Sequence, residues 1–414
     1  MSQKKLLVIG YVWPEPQSSA AGARMMQLLE FFSAEGFAIT FATTAAETPF
    51  MADLSSLGIT SEKIELNNES FDSFLKKISP QIVIFDRFMM EEQFGWRVAE
   101  VCPHAIRILD TEDLHFLRKA RQEAAKTGKE VTPSLLFSDT AKREIASIYR
   151  CDISLIISPA EEDLLTGTFG VPEHLLLYLP FMLKEISEEK KKRFLQFNER
   201  QDFVSIGNFL HEPNKDAVLQ LKTEIWPLIR KRIKEAKIHI FGAYTPQQIR
   251  EQHNTKEGFL VHGRAESART EIEKSRILLA PLRFGAGIKG KFTDAMQVGT
   301  PNVTTAIGAE GMAAELPWNG IIADNPEAFA DAAVKLYENE SLWREAQENG
   351  FMILQSKFSE VVHRERLREK LQEIQPQLER HRNSNFTGQM LQHHTLLSTK
   401  YLSKYIEAKN KNRP

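Results

Sequence analysis

Short apolar runs that end in glycine or a small polar residue recur along the whole chain. In the first half they are LLVIG (6–10), FAITFAT (37–43), IVIFD (82–86), AIRILD (105–110) and ISLIISP (153–159). In the second half they are FVSIG (203–207), KIHIFG (237–242), FLVHG (259–263), ILLAP (277–281), NVTT (302–305) and GIIAD (320–324). Helix-like stretches such as 24–35, 215–232 and 326–349 lie between them. Runs that are apolar at successive positions suit strands covered on both faces, as in parallel sheets joined by helical crossovers. Two such series predict an α/β chain with two doubly wound, Rossmann-like domains facing each other across a cleft. About eleven strands are too many for a single eight-stranded α/β barrel.

Length agrees, since 414 residues exceed one ordinary core. The boundary is expected in the charged, strand-free segment FMLKEISEEKKKRFLQFNERQD (181–202), with domains at 1–185 and 200–370. Residues 111–150 read as a charged helical insertion in the first domain. A tail from 376 to 414 lacks strands, and its last part, 381–414, holds six Lys/Arg and one Glu. It is expected to be a flexible or helical basic tail, able to make weak peripheral contact with an anionic membrane face. The net charge of −2 argues against a dedicated nucleic-acid binder. Cys102 and Cys151 give neither a disulfide framework nor metal spacing. The pair His393 and His394 has no third ligand in view, so no metal is expected. The N-terminal apolar stretch, about five residues, is short for a signal peptide, and no run approaches the ~20 apolar residues of a membrane span. A cytoplasmic location follows as the expectation.

The segment LRFGAGIKGKFTDAMQVG (282–299) carries the chemistry. Gly285, Gly287 and Gly290 permit a tight turn after a strand, with backbone N–H groups turned toward a cleft. A helix from about Lys291 adds the favourable field of its N-terminus for an anion. Lys289 and Lys291 supply countercharge as flexible point charges. Asp294, an acceptor-only group one turn into the helix, suits sugar or ribose hydroxyls. In TTAIGAEGM (304–312), Gly308 and Gly311 bracket Glu310, another hydroxyl acceptor. Near the start, small residues 19–23 precede a helix beginning near Gly22 and allow close approach from a facing domain, with Arg24 able to meet an acid or phosphate. None of these is a GxxxxGK[ST] phosphate loop or a dinucleotide fingerprint after the first strand. A purely geometric turn with solvated lysines remains the plain alternative.

Together, VSIGNFLHEPNKDAV (204–218), IHIFGA (238–243), HGR (262–264) and APLRFGAGIKGKFTDAMQVGTPNVTTAIGAEG (280–311) resemble the GT-B glycosyltransferases of the large retaining family 4, over roughly residues 5–370. The resemblance implies transfer of a hexose-like sugar from a nucleotide-activated donor, UDP- or GDP-linked, with retention and without a metal or a permanently bound cofactor. It places Gly207, Asn208 and His211 along the donor side of the second domain and Arg264 near the base. The Gly285, Gly287, Lys289, Lys291 loop falls near the diphosphate and sugar, Asp294 on the ribose, and Gly22 opposite the diphosphate. Many relatives carry two glutamates eight positions apart around this loop; here Ala286 and Asp294 occupy those places. A basic residue common after the first strand of the donor domain has only His211 and Lys215 as nearby candidates.

The resemblance also implies a histidine beyond a strand of the acceptor domain, and His115 in ILDTEDLHFLRKAR (108–121) is the match. Asp110, Asp113 and His115 are candidates to orient a hydroxyl or the sugar, and Arg118 to bind an anion. The candidate catalytic set is His115, Asp113 and Lys289. The leaving diphosphate gains charge in the transition state, so lysines and oriented amides aimed at it lower the barrier. The acceptor, a glycan, lipid-linked sugar, protein or small molecule, is left open. So are a non-catalytic relative that binds a sugar or partner, favoured by Ala286, and a different GT-B chemistry such as epimerisation, for which no clear acid/base pair is seen.

Overall fold

The computed structural model describes residues 3–411, apart from the side chains of 394–396. The first sheet has seven strands: β1 Lys4–Gly10, β2 Phe37–Thr43, β3 Thr60–Lys63, β4 Ile82–Asp86, β5 Ile106–Asp110, β6 Ile153–Ile156 and β7 Leu176–Tyr178. Their order is β3-β2-β1-β4-β5-β6-β7, with every pairing parallel. The second sheet has six strands: β8 Gln201–Ile206, β9 Ile238–Phe241, β10 Phe259–Gly263, β11 Ser275–Ala280, β12 Asn302–Thr304 and β13 Gly320–Ile322. Their order is β10-β9-β8-β11-β12-β13, again all parallel. Both sheets are doubly wound, as the two series of apolar runs predict. In each, the chain reverses direction beside its first strand, which opens a crevice beyond the strands' C-terminal ends.

Burial follows the sequence pattern. In β4 and β5 every residue is buried, including Asp86 and Asp110 at their C-terminal ends. One face of the first sheet packs Leu6, Val8, Ile84 and Ile108 against the helix Ala20–Ala34. The helix Glu360–Ile374 returns from the second sheet and inserts Leu367, Leu371 and Ile374 into that same cluster. The opposite face holds Val83, Phe85 and Leu109 under helices that include Phe88–Val101 and Asp139–Arg150. In the second sheet, Phe203, Ile238, Ile240 and Ile277 pack with Trp226 and Trp343 on one face, and Val204 and Leu278 with Phe292 and Met296 on the other.

The segment 111–150 forms three helices, His115–Thr127, Pro133–Leu136 and Asp139–Arg150. The last helix, Phe386–Lys411, lies against Phe88–Val101 and Asp139–Arg150 on the first sheet's side. Among the described residues, no helix is long and apolar enough to cross a membrane. The side chain of His394, one of the histidine pair singled out above, lies outside the described residues.

Candidate functional site

The crevice is closed by contacts between loops of the two halves, and glycine is the reason they come so close. A Cβ added to Gly290, the first residue of the helix Gly290–Gln297, would stand 2.7 Å from Ala20 Cβ. Ala20 begins the helix Ala20–Ala34, whose N-cap is Ser19, bonding Gly22 N at 3.0 Å. Two helix N-termini, one from each half, therefore meet head to head. Gly22 is equally confined: an added Cβ would fall 2.5 Å from the backbone of Glu15. Gly287, in the left-handed region at φ +63°, lets its loop settle on Asp113, Glu112 and Ile157.

Lys289 reaches into the middle of this junction. Its Nζ donates to Gly287 O at 2.9 Å, and Glu310, Arg121, Glu161 and Asp113 act on its charge. Burial is the main cause of its pKa falling to about 8. Lys291 donates to Asn214 Oδ1 at 2.8 Å, and burial brings it to about 7. Both lysines can thus exchange a proton near neutrality, and an incoming anion would hold both charged.

The carboxylates named in the sequence have partners in this structure. Arg121 grips Glu310 with two bonds of 2.7 Å and also donates to Gly285 O at 2.9 Å. Burial would raise the Glu310 pKa, but the Arg121 bonds hold it below the usual range. Asp294 accepts from Arg269 Nε at 2.8 Å; burial nevertheless raises its pKa. Asp113 is bonded by Arg118, so Arg118 is already engaged. Burial pushes the Asp113 pKa up, and Arg118, His115 and His211 together bring it below its ordinary value. Asp110 is held in a buried pair with Arg24, Nη2 to Oδ1 at 2.9 Å. Arg24 is therefore a structural strut.

His115 starts the helix His115–Thr127, with Nε2 at 3.6 Å from Asp113 Oδ1 and its ring edge-on to Phe88. Burial drives its pKa down to about 3, so the imidazole is neutral. A neutral imidazole can donate or accept a hydroxyl hydrogen bond without adding charge. His211 lies on the facing half and is solvent-exposed, yet desolvation in the cleft and Arg118 lower its pKa. Asn208 crosses the cleft, donating to Ser18 O at 3.2 Å, and its own carbonyl accepts from Asn214. Gly207 is packed on the Asn214 side chain, and Gly308, in the short helix Ala306–Ala309, on Thr304 at the end of the preceding strand. Arg264 stacks over Phe50 of the first half at 4.5 Å, at the far rim of the cleft. Beside it, Tyr244 donates to Glu15 Oε1 at 2.7 Å.

The structure thus gathers His115, Asp113, Lys289, Gly285, Gly287 and Glu310 at one junction. Lys291, Asn208 and His211 line the side next to it; Arg264 reaches Ser18 beside Asn208 as well as Phe50, while Asp294 stands apart with Arg269. Sequence reading overlooked three contributors: Arg121, Asn214 and Glu161. Glu161 is fully buried; its Oε1 accepts from Gly287 N at 2.8 Å and from Leu114 N at 3.0 Å, and Oε2 has no partner among the described residues. Burial, reinforced by Asp113, raises its pKa to about 7. Its one sequence signal is an acid just after the strand-end Ser158-Pro159.

Residues 200–339 match the family model described as glycosyl transferases group 1. No curated protein matches the chain. Among solved structures, sucrose-phosphate synthase from Thermosynechococcus elongatus is similar at a TM-score of 0.67 and 14 % identity, over 90 % of this chain and 99 % of that one. HepE from Anabaena, in complex with UDP and glucose, is similar at 0.66 and 10 %, over 89 % and 99 %. A TarM variant from S. aureus, in complex with fondaparinux, α-GlcNAc-glycerol and UDP, is similar at 0.57 and 15 % over 72 % of this chain, which spans 57 % of that protein. Residues 200–339 are thus similar to the glycosyl transferases group 1, and the two all-parallel sheets give the chain the GT-B fold.

Proposed function

We propose that the protein is a glycosyltransferase that moves a sugar, with retention, from a UDP- or GDP-sugar to a carbohydrate or glycoconjugate acceptor. One observation carries this reading: two helix N-termini from opposite halves meet beside a glycine turn that holds Lys289 and Lys291. Oriented N–H groups and two proton-poised ammonium groups together favour a diphosphate. UDP in the complexes of HepE and of the TarM variant supports the same donor class here.

In this reading residues 200–370 bind the donor and 1–185 the acceptor. Gly285, Gly287, Lys289 and Lys291 receive the diphosphate and sugar, with Gly22 opposite. Asp294 takes the ribose once Arg269 yields, Arg264 sits near the base, and Glu310 takes a sugar hydroxyl. Gly207, Asn208, His211 and Gly308 shape the donor side. Asp113 and neutral His115 orient the reacting hydroxyl, while Lys289 steadies the departing phosphate. Charge built on that phosphate is what such groups stabilise, and front-face attack lets the phosphate oxygen receive the acceptor's proton. The protein works in the cytoplasm, with at most weak peripheral contact to a membrane face. Ala286, packed against the first half's apolar cluster where relatives carry a glutamate, favours a second reading as a non-catalytic sugar- or partner-binding protein.

The test is thermal stabilisation by a panel of UDP-, GDP-, ADP- and CMP-sugars, repeated with Lys289→Ala and Asp294→Ala. A ligand that binds only the folded state raises the transition temperature. A selective shift lost in both variants supports the donor site. No shift at millimolar ligand, with the protein folded, refutes it and leaves the non-catalytic reading.

A further inference from the structure

The helix Phe386–Lys411 is amphipathic in the reverse sense. Its inner face is held largely by polar contacts, beside the half-buried Leu391 and Ile406: Ser403, 2 % exposed, and Glu407 accept hydrogen bonds from the buried Arg97, and Gln392 donates to Arg150 O at 2.9 Å. Asn385, just before it, donates to Tyr149 O at 2.7 Å, and Gly388 packs so closely on that carbonyl that a side chain would collide with it. Its outer face is apolar. Phe386 (67 % exposed), Met390, Leu397, Tyr401 (64 %) and Tyr405 (64 %) all face away from the domain. Their spacing of four and seven residues places them on one stripe, which at 1.5 Å per residue runs about 28 Å. Scattered surface apolar groups need no account, but five large ones aligned on one helix face do.

We infer that this stripe is a docking surface for an anionic lipid bilayer, with the helix lying in the plane of the headgroups. Charge decides between occupants. Lys404 and Lys411 recur at the stripe's own seven-residue spacing, with Lys400 and Lys409 close by, while the helix's one acid, Glu407, is turned inward onto Arg97. Lys400 and Lys411 meet Glu100 and Glu69 at the rim, in exposed pairs worth little in water. Lys404 and Lys409 have no ion-pair partner among the described residues. Tyrosines beside lysines suit the boundary between headgroups and acyl chains. Pairing of the stripe with a second copy would bring both sets of lysines into one interface, beside only the rim acids Glu100 and Glu69 that Lys400 and Lys411 already engage. The inference deepens the reading of weak peripheral membrane contact and rests on it for the partner alone.

The experiment is flotation of the full chain with vesicles of phosphatidylcholine alone and of phosphatidylcholine with about one third phosphatidylglycerol. It is repeated for Phe386→Ser/Tyr401→Ser/Tyr405→Ser and for Lys404→Glu/Lys409→Glu. Capture by the anionic vesicles, at least about tenfold weaker in either variant and weakened by salt, supports the surface. Equal capture of wild type and serine variant, or no capture of wild type, overturns it. A wild-type dimer in light scattering that the serine variant dissolves also overturns it, in favour of self-association. The cooperative melting transition of each sample without ligand shows whether the variant is folded, and its shift with UDP-sugars judges the donor reading separately.

Discussion

Glu161→Gln tests how the two halves are joined. In the wild type one carboxyl oxygen holds two buried N–H groups, Leu114 on one side and Gly287 on the other, while the second oxygen is buried without a partner. Glutamine keeps an oxygen for both N–H groups and cannot ionise. The groups facing the carboxyl are Asp113 and Glu144, which raise its pKa or are raised by it, and Lys289, which lowers it. Its folded pKa of about 7 lies above the reference of 4.5. A group raised in this way contributes stability fully below the lower value and loses it as pH rises through the higher one. At 1.36 kcal/mol per pH unit, the wild type should lose about 2.5 kcal/mol relative to the glutamine variant between pH 5 and pH 8. For a domain of 150–250 residues that is about 5–10 °C in Tm. Calorimetric scans of both proteins at half-unit steps measure it directly. Two Tm profiles that stay parallel across this range would refute the burial and the pKa argument together.

Nucleotide affinity should fall as pH rises. Lys291 and Lys289 lose their protons near 7 and 8 in the free protein, and a bound diphosphate favours the charged forms, so binding takes up protons. Titration calorimetry of UDP in two buffers of different ionisation enthalpy should show that uptake, with the slope approaching about tenfold per pH unit for each lysine; Lys291→Ala should remove its share. Gly290→Ala should separate the two helix starts, since its methyl would meet Ala20 at 2.7 Å. A cost of about 1–3 kcal/mol is expected, seen as weaker UDP binding and lost sugar transfer together; unchanged UDP affinity would contradict the placement. Arg121→Ala leaves Glu310 and Gly285 O without their donor and should weaken the closed cleft by about 1–3 kcal/mol, measurable as faster nucleotide release in a stopped-flow displacement assay.

The fold was legible because burial on both faces leaves a mark on every residue of a central parallel strand. IVIFD and IRILD, wholly buried at β4 and β5, read as strands without any long-range knowledge. The strands that escaped notice lack that mark. β3 is TSEK, exposed throughout at a sheet edge, and β7 is three residues long within LLLYLP. Helix starts were nearly as clear: Gly290 begins the glycine-loop helix one residue before Lys291, and Ser19 caps its opposite number at Ala20, two residues ahead of Gly22. The inside-out helix at the C-terminus was legible only as basic and strand-free, because which face of a helix meets the domain depends on the neighbours.

The site was less legible for a related reason. Local patterns name the groups proposed to bind a donor, and they are silent on what those groups hold before one arrives. Lys289 is bonded to Gly287 O, Lys291 to Asn214, Asp294 to Arg269, and Glu310 to Arg121, a partner 189 positions away in the chain. None of these pairings follows from spacing. Each also sets what binding must overcome, because a donor that engages these groups exchanges bonds rather than adding them, and the net gain of each exchange is small. Selectivity should then lie in groups whose protein partners are poorest. Asp294 and Arg269 are the more exposed of these pairs, so the partner is readily released; Glu310 and Arg121 are bidentate and more enclosed. Under the proposed function a ribose would therefore displace Arg269 at little cost, whereas a sugar hydroxyl would reach Glu310 only if Arg121 stays to share it. The donor's nucleotide should accordingly contribute most of the affinity, and its sugar most of the discrimination.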